Sequence, residues 1–308
     1  MSTPKCTHIL ATINHKVLHI ERCNNLFSVV FYFSQVLSAF ASSRRHAMFT
    51  ACVDVRTTTS RCSTRPTRAR STSLRTRAKQ TDSFDAIVRA RVDSLIRAHD
   101  DSPATQRFVA IAGPPGGGKS TFAEAVRAGY NERRNGEDAC VVVPMDGFHF
   151  SLAELAAGRA GDADEARKRR GAPWTFDALA FVECVKSLRA SGYGEIPTFD
   201  HATHDPVEGG CRVERWHETV LIEGNYVLLP ERPWRDLADQ NVFDETWFVD
   251  TDVDEAMQRI IRRHVEVGRS EEEAWERAES NDALNAQLVV QQCRALADVL
   301  IPCVSFDR

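Results

Sequence analysis

No Cys-x-x-Cys pair and no Cys/His spacing of a zinc site occurs in this chain, although it holds nine cysteines. Their odd number and wide separation argue against a disulfide framework and read as free thiols of a reducing compartment. Those in the folded part are expected to pack as small buried apolar side chains. Internal repeats are also missing. Acid is absent from residues 55–80, VRTTTSRCSTRPTRARSTSLRTRAKQ, which are mostly Arg, Ser and Thr and cannot bury enough apolar surface to fold alone. Long apolar runs are scarce: residues 26–41, LFSVVFYFSQVLSAFA, stand at the short end for a membrane span, so no stable span is expected in the mature protein.

Charge is unevenly spread. Residues 1–81 carry 13 Lys and Arg against 2 Asp and Glu, leaving 26 against 41 in residues 82–308, although the whole chain sums to only −4. The acidic second part argues against a nucleic-acid partner. The basic, acid-poor first part has the composition of an organelle transit peptide. Residues 26–41 could form the core of a signal peptide cleaved after Ala39-Phe40-Ala41, ahead of a transit segment. Alternatively Met48 is the start and residues 48 to about 80 are the transit peptide; a disordered basic tail on a cytoplasmic protein is the third reading. A plastid is favoured over a mitochondrion because no clear amphipathic helix is present. Residues 1–81 are therefore set apart from a folded domain over 82–308.

In that domain, 82–100 has Phe84, Ile87, Val88, Val92, Leu95 and Ile96 on one helical face. Apolar strand candidates are RFVAIAG, ACVVVPMD, TVLIEGN, ETWFVD and DVLIPCVSF. Helical patterns separate them, notably 176–191, 252–268 and a long stretch over 270–297. Alternating strands and helices predict an α/β fold with a parallel sheet covered on both faces, whose ligands gather at the strands' carboxyl ends.

The first strand runs into Gly113-Pro114-Pro115-Gly116-Gly117-Gly118-Lys119-Ser120-Thr121, and a helical pattern follows. This is the phosphate-loop pattern in its required strand-loop-helix setting. Its backbone amides suit a nucleotide's phosphates at a helix N-terminus; Lys119 would reach the β- and γ-phosphates and the Ser120 hydroxyl would ligate Mg²⁺. ATP and Mg²⁺ are the expected cofactors, and no guanine-reading Asn-Lys-x-Asp element is present. Asp146, in PMDGFHFS after the second strand, sits where a carboxylate could take the proton of an attacking hydroxyl.

Taken in order, the phosphate loop, Asp146-Gly147-Phe148, RKRRGAPWTFD (167–177), IPTFDHATHDPVEGG (196–210), ETVLIEGNYVLL (218–229) and RIIRRHVEVGRS (259–270) resemble the phosphoribulokinase/uridine kinase family, with similarity also to bacterial-type pantothenate kinase. The resemblance implies a P-loop NTPase three-layer sandwich with a mostly parallel five-stranded sheet and a helical lid at about 259–285. It implies a kinase moving the γ-phosphate of ATP to a hydroxyl of a nucleoside, sugar or pantothenate-like acceptor. Glu223 would hold Mg²⁺ with Ser120. Asp146, His149, Arg170, His201 and Asp205 are the implied acceptor-side residues, with His204 and Asp205 near enough to replace His201. Arg262 and Arg269 match the lid arginines, whereas Arg263 stands where the uridine kinase pattern has Asp. The loop lacks the cysteine through which plastid phosphoribulokinase is redox-controlled. The contrasting reading is an ATP-binding regulator or partner-stimulated NTPase without a small-molecule acceptor. A homodimer is left open.

Overall fold

The computed structural model describes residues 9–13, 16–20, 83–103, 105–200 and 202–303. The chain divides into two units, Met1–Arg75 and Thr76–Arg308. In the first, β1 (Ile9–Ile13) and β2 (Lys16–Ile20) pair antiparallel, with Ile9 opposite Ile20. The apolar run 26–41, Met48 and the basic stretch 55–80 lie outside the described residues, as do Cys6, Cys23, Cys52 and Cys62.

The second unit opens on α1 (Phe84–Asp101), whose N-cap Ser83 accepts from the amide of Ala86 and whose buried Ile87, Val88, Val92 and Leu95 form one face. There follow β3 (Arg107–Ala112), α2 (Lys119–Arg133), β4 (Cys140–Pro144), α3 (Leu152–Ala156), α4 (Ala163–Lys168) and α5 (Ala178–Ser191). A hairpin, β5 (Gly194–Asp200) and β6 (Asp205–Val213), leads to β7 (Thr219–Glu223), α6 (Asp236–Asp239) and β8 (Glu245–Asp250). The chain continues through α7 (Val253–Glu266), α8 (Glu271–Arg277) and α9 (Ala283–Cys293) to β9 (Val299–Pro302).

Five strands form one parallel sheet in the order β4-β7-β3-β8-β9. The continuous apolar runs in the sequence have their cause here, because both faces are covered. In β3, Phe108, Ala110 and Ala112 enter a core with Phe181 and Val185 of α5, whereas Val109 and Ile111 enter a second core with α1 and with Phe122 and Val126 of α2. Helix, sheet and helix make the expected three layers. All five described cysteines from Cys140 to Cys303 are free thiols. Among the described residues no helix is long and apolar enough to cross a membrane.

Two features depart from the sequence reading. Residues 194–213 form the β5–β6 hairpin, paired antiparallel with an irregularity between Ile196 and Thr198; Pro197, Gly209 and Gly210 break the alternation that would have marked it. The long helical stretch 270–297 is interrupted by a π-helical turn over 278–282, where buried Asn281 turns its side-chain amide onto the carbonyl of Arg170 at 3.1 Å.

Candidate active site

Parallel register sets the site. Glu223, the last residue of β7, lies opposite Ile111 of β3 on one side and Pro144 of β4 on the other. Three strand ends thus come level, and the loops after them converge. The 113–118 loop leaves β3 and ends on Gly118, a left-handed N-cap (φ 90) with no side-chain cap on the first turn of α2. The amides of that turn therefore face outward as anion donors. Thr251 Oγ1 fixes the loop by donating to the Gly117 carbonyl at 2.8 Å. At Gly116 (φ 74) a Cβ would stand 2.4 Å from the Ala256 carbonyl oxygen of α7, so this glycine lets α7 pack directly on the loop.

Lys119 is only 8% exposed, and its ammonium donates to the Pro114 carbonyl at 3.1 Å and to Asn225 Oδ1 at 2.6 Å. Burial lowers its pKa, opposed by Glu223 and Asp146. Ser120 Oγ donates to Glu223 Oε1 at 3.0 Å. Burial pushes Glu223 up to about 7, Lys119 pulls against this, and the charge of Asp146 adds to it. A hydroxyl and two carboxylates are hard oxygen donors, and a divalent cation would relieve the cost of ionising Glu223, so Mg²⁺ fits this donor set. No group of three or more His, Cys, Asp or Glu side chains forms a metal site by itself among the described residues. Phosphate oxygens and water would complete the magnesium shell.

A pH effect follows. A carboxyl with a raised folded pKa contributes stability below its ordinary value of 4.5, and that contribution is lost as pH rises through about 7. Glu223→Gln does not ionise, so its Tm without nucleotide should rise relative to the natural chain on going from about pH 5 to about pH 8. Thermal melts at both pH values check this; a difference independent of pH would contradict it.

Two clefts meet at these residues. One, of about 320 Å³, lies over the phosphate loop and includes Lys119, Asn225, Arg259 and Arg263 in its walls. The other, of about 390 Å³, lies toward the β5–β6 hairpin, between Val142 and Pro144 and the pair Thr198 and Phe199. Ser120, Asp146 and Glu223 line both. Asp146 is placed there by the 3₁₀ turn Met145–Phe148 that ends β4.

The remaining sequence-derived candidates are placed differently. The His149 ring packs 3.9 Å from the Phe176 centroid and 4.8 Å from that of Phe199, and its Nδ1 donates to the Asp146 carbonyl at 2.9 Å, which supports the turn. Arg170 and Asp205 pair with each other at 3.3 Å. Arg170 also donates to the carbonyls of Phe150 and His204, and Asp205 accepts from the Leu152 amide. Their charge is used within the fold, and neither lines either cleft. His201 lies outside the described residues. Of the arginines on and after α7, Arg259 and Arg263 line the cleft over the phosphate loop, and Arg262 and Arg269 do not. Ala256, Arg259, Ile260 and Arg263 share one face of α7, with Ala256 and Ile260 buried, whereas Arg262 turns its Nε to the Gln258 carbonyl. That spacing was the available signal. Asn225 had none beyond its nearness to Glu223.

The model of the phosphoribulokinase/uridine kinase family matches residues 108–307. The chain belongs to this family. It is 38% identical over 186 residues to "Putative uridine kinase C227.14" of Schizosaccharomyces pombe, covering 59% of this chain and 77% of that one. Among solved structures, a "putative fructose transport system kinase" from Silicibacter sp. TM1040 is 29% identical with a TM-score of 0.61, over 70% of this chain and 98% of that one. YFH7 of Saccharomyces cerevisiae, at 21% identity and a TM-score of 0.62, shares the fold over 71% of this chain and 99% of its own. The phosphate loop and the acidic pair Asp146 and Glu223 thus sit in the P-loop kinase fold of the family.

Proposed function

We propose that this family member is an ATP-dependent kinase that transfers the γ-phosphoryl group to a hydroxyl of a small metabolite. The observation that carries the reading is the junction of two clefts at Ser120, Asp146 and Glu223. A phosphoryl donor in one and an alcohol in the other would meet there in line. Bound Mg·ATP would supply the electrophilic phosphorus and the charge of the metal. The loop amides and Lys119 would hold the phosphates, Ser120 and Glu223 would hold the metal, and Asp146 would orient the acceptor hydroxyl and take its proton as the new O–P bond forms and the bond to ADP breaks. Arg259 and Arg263 offset charge from the lid side and help exclude water. The names of the fission-yeast and Silicibacter relatives, with uridine and fructose in them, support an alcohol acceptor.

ADP release, measured over a panel of nucleosides, sugars, sugar phosphates and pantoate derivatives, tests the reading. One acceptor should raise turnover sharply and appear with the added mass of a phosphoryl group. Hydrolysis that no small molecule stimulates, but a protein partner does, would favour a partner-driven NTPase instead. Delivery to a plastid remains a proposal resting on the composition of residues 1–81.

A further inference from the structure

The acceptor-side cleft selects by charge, an inference that rests on the kinase reading above. Beyond the shared Ser120, Asp146 and Glu223, its walls are Val142, Pro144, Thr198, Phe199, Gly210 and Cys211, with Glu124 beside them. Among the described residues, no Lys, Arg or His lines this cleft. Arg169 and Arg170, the nearest part of the basic run 167–170, are held by contacts elsewhere in the fold. Arg170 lies 5.5 Å from the Phe199 ring centroid, but it donates to two main-chain carbonyls and to Asp205. Arg169 donates to Asn285 Oδ1, and Arg277 of α8 donates to the carbonyls of Lys168 and Arg170. Arg127 pairs with Glu124 at 2.8 Å from α2 and does not line the cleft. Cys211 donates its thiol to the Val142 carbonyl at 3.3 Å, and burial holds it protonated, so it contributes no charge.

A phosphate or carboxylate on the non-reacting end of an acceptor would find no cation among the described residues of this lining, and would lie beside the Glu124 carboxylate. Its desolvation would go uncompensated. An uncharged polyol meets better partners: the Thr198 hydroxyl and the Glu124 carboxylate for its O–H groups, and Phe199, Val142 and Pro144 for its C–H or ring face. We infer that the acceptor is an uncharged, polyhydroxylated molecule of sugar or nucleoside type rather than a phosphate ester or a carboxylate.

The test uses the full chain with Mg·ATP and matched pairs that differ in charge away from an available hydroxyl: ribulose and ribulose 5-phosphate, fructose and fructose 6-phosphate, pantothenol and pantothenate, uridine and its 3′-monophosphate. Product is measured by mass and kcat/KM is compared within each pair. The expected result is that the uncharged member of the best pair is used at least about tenfold better, equivalent to roughly 1.4 kcal/mol. Equal use, or preference for the charged member, overturns the inference and leaves the kinase reading standing. If no member of any pair is phosphorylated while ATP is still hydrolysed, the kinase reading fails and the inference falls with it.

Discussion

Lys119→Ala should lower kcat/KM by about 10²–10³-fold or more while leaving the fold in place. Both parts of this expectation come from where the side chain sits. Its ammonium is nearly buried and held by two neutral oxygens, the Pro114 carbonyl and Asn225 Oδ1. Two such hydrogen bonds from a charged donor contribute about 1.5–3 kcal/mol each, and their loss is opposed by relief of the ammonium's desolvation. Alanine is the best helix former at this first position of α2. The charge that would meet the transferring phosphoryl group, by contrast, has no substitute on the loop itself. Steady-state kinetics and a thermal melt on the same preparation check the two parts. A fall in Tm that accounts for the lost activity would show that Lys119 acts chiefly through structure.

Asp146→Asn should retain nucleotide affinity and lower kcat by about 10²–10⁴-fold, the usual contribution of a positioned general base. The 3₁₀ turn that presents Asp146 is closed by main-chain and His149 contacts to the Asp146 carbonyl, not by its carboxylate. An isosteric amide therefore keeps the shape of both clefts. It also removes a negative charge that raises the pKa of Glu223 and of Lys119, which makes Glu223 easier to ionise for a metal. Calorimetric titration with Mg·ATP and single-turnover phosphoryl transfer separate binding from chemistry. Unchanged single-turnover rates would remove Asp146 from its role as base.

Legibility in the sequence followed interaction range. The central strands β3, β7 and β8 could be read because each is buried on both faces and so appears as an apolar run, the edge strands β4 and β9 because they too are apolar runs, and α1 because its buried face repeats with the helical period. Asp146 and Glu223 were legible because each closes such a run. The β5–β6 hairpin was not, since it carries proline and a Gly-Gly pair where alternation would be sought. Arg170 and Asp205 stood among the acceptor-side residues because the family resemblance implied them; their mutual pairing joins the stretch after α4 to β6 across 35 positions, which neither segment displays alone. Pattern matching in sequence pointed to Arg262 and Arg269, whereas the buried Ala256 and Ile260 mark the face of α7 from which Arg259 and Arg263 line the cleft.

The sequence by itself determined the donor half of this protein: the phosphate loop GPPGGGKST, the strand and helix that flank it, and the two carboxylates at strand ends. These are local patterns, fixed by backbone conformation and by burial that each segment displays alone. Only the tertiary structure decided which residues share the site. Lys119 meets Asn225 across 106 positions and Ser120 meets Glu223 across 103, because parallel register brings three strand ends to one level. The charge of the acceptor-side cleft was decided in the same way: whether an arginine faces a ligand or a main-chain carbonyl depends on packing from other elements, which its own stretch of sequence does not contain.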